Sequence, residues 1–259
     1  MKALFFLVAS VTVCLLLGPI IMPLSISFSV VETISFPPKG FTLRWFYNIF
    51  EYETFVNGFV SSSIIALTAS FLSIILSLPP SYTLYRYKGF KIKGFIENFF
   101  MLPMLIPEIV LSYLLLIFVY HTLKITSLFS LIIGHTLIVL PYAMRVIYAS
   151  ISNLGVDIED AAVSLGQSRI AAFFDIILPN IRQGFVGGFL TCFMVSFNAV
   201  SISLFLSFGE SIPLPVAMLN YLQIRYDPTI AAISTLLVAF SAILSILVER
   251  IVGLVSWVR

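Results

Sequence analysis

Glu108 is the one carboxylate inside any long apolar stretch of this sequence. An ionised side chain at the centre of a bilayer costs about 2.5–3.5 kcal/mol on insertion scales, so such a group usually faces a cavity or a partner. Two roles fit it: contact with a cationic solute or a gate, or a protonated or paired carboxyl that ties helices together. Pro103 and Pro107 flank it and are expected to kink its helix. Asn198 sits in another apolar stretch, as a cross-helix hydrogen-bonding amide or as part of a solute pathway. His135, near Pro141, reads as a packing histidine with satisfied nitrogens. His121 lies in a different segment, so the sequence offers no metal cluster. Cys14 and Cys192 fall in separate apolar runs with neither metal nor disulfide spacing. Paired catalytic groups, as an intramembrane enzyme needs, are missing from the apolar runs. The sequence also lacks Gly-x4-Gly-Lys-Ser/Thr, so it does not carry a phosphate loop, and no cofactor is expected.

The elements that must position these residues are membrane helices. Of 259 residues, 60% are hydrophobic and 10% charged, against about 45–50% apolar and 25% charged for soluble domains. That excludes an ordinary soluble protein and a disordered chain. A net charge of +2 gives no basic stripe for nucleic acid. Apolar runs of the length a bilayer requires predict six helices, at about 4–30, 56–82, 98–122, 126–148, 183–208 and 229–250, in one membrane domain over 1–259. The fold class is all-α, because exposed backbone groups cannot be satisfied in lipid and the runs lack barrel-strand alternation. The first run is too long for a secretory h-region and is read as a retained helix. With the N-terminus inside, inner segments hold 10 of the 14 Lys and Arg residues, Lys88, Lys91 and Arg259 among them. Both termini are therefore expected in the cytoplasm. Outside, 32–53 carries Pro37, Pro38 and Gly40 as turn formers and Trp45 and Tyr47 as interface anchors. Gly184-x3-Gly188 and Ser61 to Ser63 read as close helix packing.

One inner loop is long, spanning 145–182, with its core at about 151–180. Ile158, Ala161, Ala162 and Leu165 fall at i, i+3, i+4 and i+7 and make one apolar face, with Asp157, Glu159, Asp160 and Ser164 off it. Gly166 then breaks the pattern as a helix C-terminal glycine. Ser168 is placed to cap a second short helix bearing Ile170, Phe173, Phe174 and Ile177, which Pro179 is expected to end. Such a loop either lies on the membrane or docks a cytoplasmic partner.

Asp160-Ala161-Ala162, three residues, Gly166, nine residues, then Ile176-Ile177-Leu178-Pro179 resembles the Glu-Ala-Ala motif of permease subunits of binding-protein-dependent ABC importers. The one departure over these 20 residues is Asp160, where the family usually has Glu. Leu214-Pro215-Val216, Asp227-Pro228-Thr229, Glu249-Arg250 and Pro107-Glu108-Ile109-Val110 are similar to the second permease subunit of spermidine/putrescine systems. The resemblance implies the type I importer fold, with the loop as a coupling helix seated in a groove of an ATP-binding subunit. Ala161 and Ala162 would pack in that groove, Gly166 would let backbones approach, and Asp160 would present charge to the partner. Ile176, Leu178 and Pro179 complete the motif, and Gln167 and Arg169 would be polar rim contacts.

The implied partners are an ATPase dimer, a second permease subunit (the same chain or another), an extracytoplasmic binding protein and membrane lipid, in a bacterial or archaeal inner membrane. The outer segments 32–53 and 208–228 would meet the binding protein. The implied function is ATP-driven import of a polyamine or related amine by alternating access, with ATP hydrolysis in the partner. Related polyamine permeases often carry an acidic pair where this chain has Asn198-Ala199, which points to a less charged or zwitterionic amine. The alternatives are an amino acid, aminophosphonate, sugar or iron chelate as solute, or an ion-coupled transporter using Glu108.

Overall fold

The computed structural model describes residues 2–87, 89, 92–124, 127–208 and 211–252. Lys88, Lys91 and Arg259 of the charge count, and Thr126 at the start of the fourth expected span, lie outside the described residues. The described residues form a helical bundle. Helix α1 (Lys2–Ile26) is followed by the short α2 (Arg44–Glu51) and the long α3 (Glu53–Arg86). Next come α4 (Lys93–Leu105) and α5 (Glu108–Ile117), which widens into a π-helical turn at Phe118–Leu123. The fourth span is α6 (Ser127–Ser152). The loop beyond it holds α7 (Val156–Ser164), α8 (Arg169–Ala172), a π-helical turn (Phe173–Ile177) and α9 (Leu178–Asn180). The chain ends with α10 (Arg182–Phe197), α11 (Val200–Leu206), α12 (Leu214–Ile224) and α13 (Thr229–Val252).

Helices α3 and α6 share the most extensive interface. Small residues recur along the buried side of α3: Ser62, Ala66, Ala69, Ser70, Ser73, Ser77 and Ser81. Their size lets backbones approach, and their hydroxyls find carbonyls where lipid offers none. Ser73 Oγ donates to Thr136 O at 3.0 Å and Ser81 Oγ to Met144 O at 3.4 Å. Helix α10 closes on the same pair: a Cβ at Gly184 would lie 1.8 Å from Ser150 Oγ, and one at Gly188 3.0 Å from Ile74 Cδ1. The glycine pair is thus a site of close helix approach. Ser62 also packs as expected, accepting the Leu214 N–H at 2.9 Å at the start of α12.

Among the described residues four helices are long and apolar enough to cross a membrane, and the other two expected spans are bent helix pairs. The third bends by 98° between α4 and α5, and the fifth by 60° between α10 and α11. Pro107 explains the first break: its ring forces the preceding Ile106 into extended backbone, at φ −91° and ψ 133°. Pro103 stays inside α4 without ending it. The fifth span has no proline at its break. Ala199 is extended there, at φ −74° and ψ 103°, and His135 on α6 straddles the bend. His135 Nδ1 lies 2.8 Å from Ser196 Oγ on α10, and Nε2 lies 3.2 Å from Ser203 Oγ on α11. Ser203 spends its proton on Ala199 O at 2.6 Å, so the network assigns the proton to Nε2 and leaves Nδ1 to accept from Ser196. The histidine is a satisfied packing residue, as its type and place predict.

Trp45 is a correction. Expected at the membrane interface, it is 2% exposed, and its Nε1 donates to Ser29 O at 2.6 Å. The chain leaves α1 at Ile26 and doubles back, with Val30 N–H bonded to Lys39 O, and Trp45 plugs that reversal.

Candidate coupling site

Helix α7 ends as its glycine predicts. Gln167 N–H bonds to Ala162 O at 3.1 Å and Gly166 N–H to Val163 O at 3.0 Å, a Schellman cap. Gly166 holds φ +96°, and a Cβ there would meet nothing within 4 Å. The left-handed backbone, not crowding within the chain, is what demands glycine. Ser168 caps α8, its Oγ accepting the Ala171 N–H at 3.2 Å. Pro179 does not end the second helix. The chain stays helical to Asn180, widening through the π-helical turn, where Leu178 N–H bonds to Phe173 O. The wider turn accommodates a ring that would otherwise clash with the carbonyl four residues back.

The faces of α7 depart from the sequence expectation at Ile158, Glu159, Ala161 and Leu165, while Ala162 is buried and Asp157 and Ser164 are exposed as expected. Glu159, read as solvent-facing, is 0% exposed, and Ala162 is buried beside it. Of the apolar face, Ala161 is exposed, Ile158 is exposed, and Leu165 is 90% exposed. Beyond the corner, Ile170 is 74% exposed and Phe174 is exposed. Glu159 turns inward, and Asp160 is held beside it, because α3 supplies partners for them. Arg86, the last residue of α3, donates through both terminal nitrogens to the two carboxylate oxygens of Asp160, one bond measuring 3.0 Å. Its Nε lies 4.0 Å from Glu159 Oε1. Tyr82 Oη donates to the same Glu159 oxygen at 2.7 Å, and Arg169 Nη1 stands 3.5 Å from it. Tyr85 Oη donates to Gly155 O at 2.7 Å. The Arg86 hydrogen bonds hold the Asp160 carboxyl below its ordinary pKa.

Asp160 is thus anchored to α3 within its own chain, while its side chain stays 49% exposed. Arg169 joins the same cluster, while Gln167 Nε2 donates to Asp175 Oδ2 at 2.7 Å across the corner. Ile176 and Leu178 are half-buried and Pro179 is exposed. Sequence reasoning missed Arg86, Tyr82, Tyr85 and Glu159. The signal available was three donors at 82, 85 and 86, on one helical face at the end of an apolar run.

Glu108 and Asn198 each mark a break. Glu108 is the exposed first residue of α5. Asn198 caps α10 and is exposed, its Nδ2 donating to Met194 O at 2.8 Å within its own helix, not across to another. The segments beyond the breaks, α5 and α11, pack together, with the Tyr113 and Phe205 rings 6.1 Å apart.

Residues 69–256 match the family described as binding-protein-dependent transport system inner membrane component. The chain belongs to that family. Among its relatives is a spermidine/putrescine transport system permease protein PotC of Haemophilus influenzae, 28% identical over 214 residues, 82% of each chain. A putrescine transport system permease protein PotI of Escherichia coli is 25% identical over 93% of this chain and 85% of its own. The fold is that of solved type I ABC importers. A structure of the MetNI methionine transporter in inward-facing form aligns at TM-score 0.67 and 17% identity over 78% of this chain and 95% of that one. A bacterial importer of the acidic polysaccharide alginate aligns at 0.68 and 14% identity over 97% and 95%. This chain is thus a multi-pass inner-membrane permease of an ABC importer, a transport subunit that works with ATPase and binding-protein partners.

Proposed function

We propose that this permease passes a small organic amine of the polyamine class from an extracytoplasmic binding protein to the cytoplasm by alternating access, driven by ATP hydrolysis in a separate subunit. The observation that carries the coupling half is the uncovered apolar side of the loop. Ile158, Leu165, Ile170 and Phe174 stand exposed around the Gly166 corner while Glu159 is buried against α3. Large apolar side chains arranged this way become stable when a partner buries them. Ala161 and the open space at Gly166 suit close approach of that partner's backbone. An ATPase dimer would grip one such loop from each of two permease subunits. The excess of Lys and Arg on the loop side supports a cytoplasmic location for the loop and both termini.

The amine half rests on the spermidine and putrescine in the names of the relatives and on Glu108, an exposed carboxylate heading α5 at the break of the third span. A broken span puts polar backbone and a charge at membrane depth, where it has to line a cavity. Asn198 marks the other break with a neutral amide. That suits an amine of lower charge than the longest polyamines. The test is reconstitution with the partner ATPase, second permease subunit and binding protein. ATP hydrolysis is followed as the binding protein is loaded in turn with putrescine, spermidine, an amino acid, a sugar and molybdate. Stimulation by an amine, reduced at least tenfold by Glu108→Gln, supports the reading; stimulation by a neutral or anionic solute alone overturns its amine half.

A further inference from the structure

We infer that Arg86 is the positioning residue that yokes the coupling loop to α3, making α3 the rod that carries the loop's movement to the far end of the bundle. The inference rests on the coupling role proposed above and names its route. Helix α7 is bounded by two positive-φ glycines, Gly155 at φ +74° and Gly166 at φ +96°, neither with a neighbour within 4 Å of a would-be Cβ. Its own apolar residues Ile158 and Leu165 point away from the bundle. Besides Arg169 of α8, which stands 3.5 Å from Glu159, what ties it to the bundle is a row of donors from α3. Tyr82 reaches Glu159, Tyr85 reaches Gly155 O, and Arg86 reaches Asp160 with both terminal nitrogens. A guanidinium forked onto a carboxylate fixes direction as well as distance, which a lysine would not.

Helix α3 then continues for 34 residues, about 50 Å at 1.5 Å per residue. Near its other end Ser62 Oγ accepts the first N–H of α12, and a Cβ at Gly58 would lie 3.1 Å from Leu214 Cα. The same helix thus holds the coupling loop at one end and α12 at the other, in contacts too close to slide freely. Displacement of α7 by a partner passes to α3 through Arg86 and arrives at α12, in the segment proposed to face the binding protein.

The experiment uses the reconstituted complex with its ATPase, second permease subunit and binding protein. It reads recovered complex, basal hydrolysis, and the ratio of solute imported to ATP hydrolysed. Arg86→Gln is expected to leave assembly and basal hydrolysis near wild type and to lower that ratio at least tenfold. Arg86→Lys should fall between the two. Asp160→Asn combined with Arg86→Gln should cost less than the sum of the two single variants, because the two share the Arg86–Asp160 pair. An unchanged ratio in Arg86→Gln overturns the inference, as does a loss of complex whose surviving fraction is fully coupled, since the residue is then only structural. Strictly additive losses in the double variant overturn the pairing with Asp160. Failure of the wild-type chain to bind any ATPase would instead sink the coupling role itself.

Discussion

The two ends of this bundle are held together by different chemistry. At the end bearing the coupling loop, Arg86, Arg169, Glu159, Asp160 and Tyr82 form one network of directional, charged contacts. At the opposite end the fastening is mainly apolar, though Tyr221 Oη also donates to Asp227 Oδ2 at 2.7 Å. Trp45, Ile49, Phe55, Leu214 and Tyr221 share a buried cluster, Trp45 bonds to a backbone carbonyl, and Arg225 stands 5.5 Å over the Tyr52 ring. The ion pair described at that end, Arg44 with Glu32, is exposed and adds little to stability. An element that must be pulled by a partner benefits from contacts that resist rotation, whereas an end that only has to stay closed needs burial. Charge pairs supply direction, and aromatic packing supplies area.

That contrast can be broken from either side. Loss of the Arg86 fork should cost coupling, at least tenfold in solute moved per ATP, with the folded complex retained. Trp45→Ala should do the opposite, lowering stability by about 3–5 kcal/mol as large buried aromatics do, while the complex that survives stays coupled. A thermal melt in detergent beside the import-to-hydrolysis ratio separates the two. Ser62→Ala leaves the buried Leu214 N–H without its acceptor and should cost about 1–3 kcal/mol in the same melt. Gly166→Ala forces a side chain into a left-handed backbone and should cost about 1 kcal/mol, with protease cutting at the corner as readout.

The pH response should be confined to the loop end. Asp160 has its pKa lowered by Arg86, so its stabilising contribution is present above the unfolded carboxylate value of about 3.9 and disappears as pH falls through the lower folded value. Hydrogen exchange in α7 should therefore quicken below about pH 4 while α12 stays protected. Equal quickening at both ends would erase the distinction.

Much of the fold was legible because bilayer physics writes it in long apolar runs, and the loop was legible because its cap glycine, cap serine and motif spacing are local signals. The breaks divided the case. Pro107 announces its own bend, but the bend at Asn198 is fixed by His135 on another helix, and no local pattern reports a partner 61 residues away. The faces of α7 were misread for a related reason. An apolar stripe is assumed to face its own core, and here a partner is proposed to claim it while Arg86, remote in sequence, draws Glu159 and Asp160 inward. Trp45 likewise found a carbonyl at Ser29 that composition alone does not place.

The most direct test of the account is capture of the permease by its partner ATPase in mild detergent, comparing wild type with Leu165→Asp and Ile170→Asp. Both positions are exposed in the chain alone, so neither change should harm its fold. The wild type should be retained with the ATPase, and both variants should be lost from it while eluting as folded permease. Retention of both variants at wild-type levels would contradict docking through the coupling loop, and solute uptake driven by an ion gradient and abolished by Glu108→Gln would contradict ATP-driven import altogether.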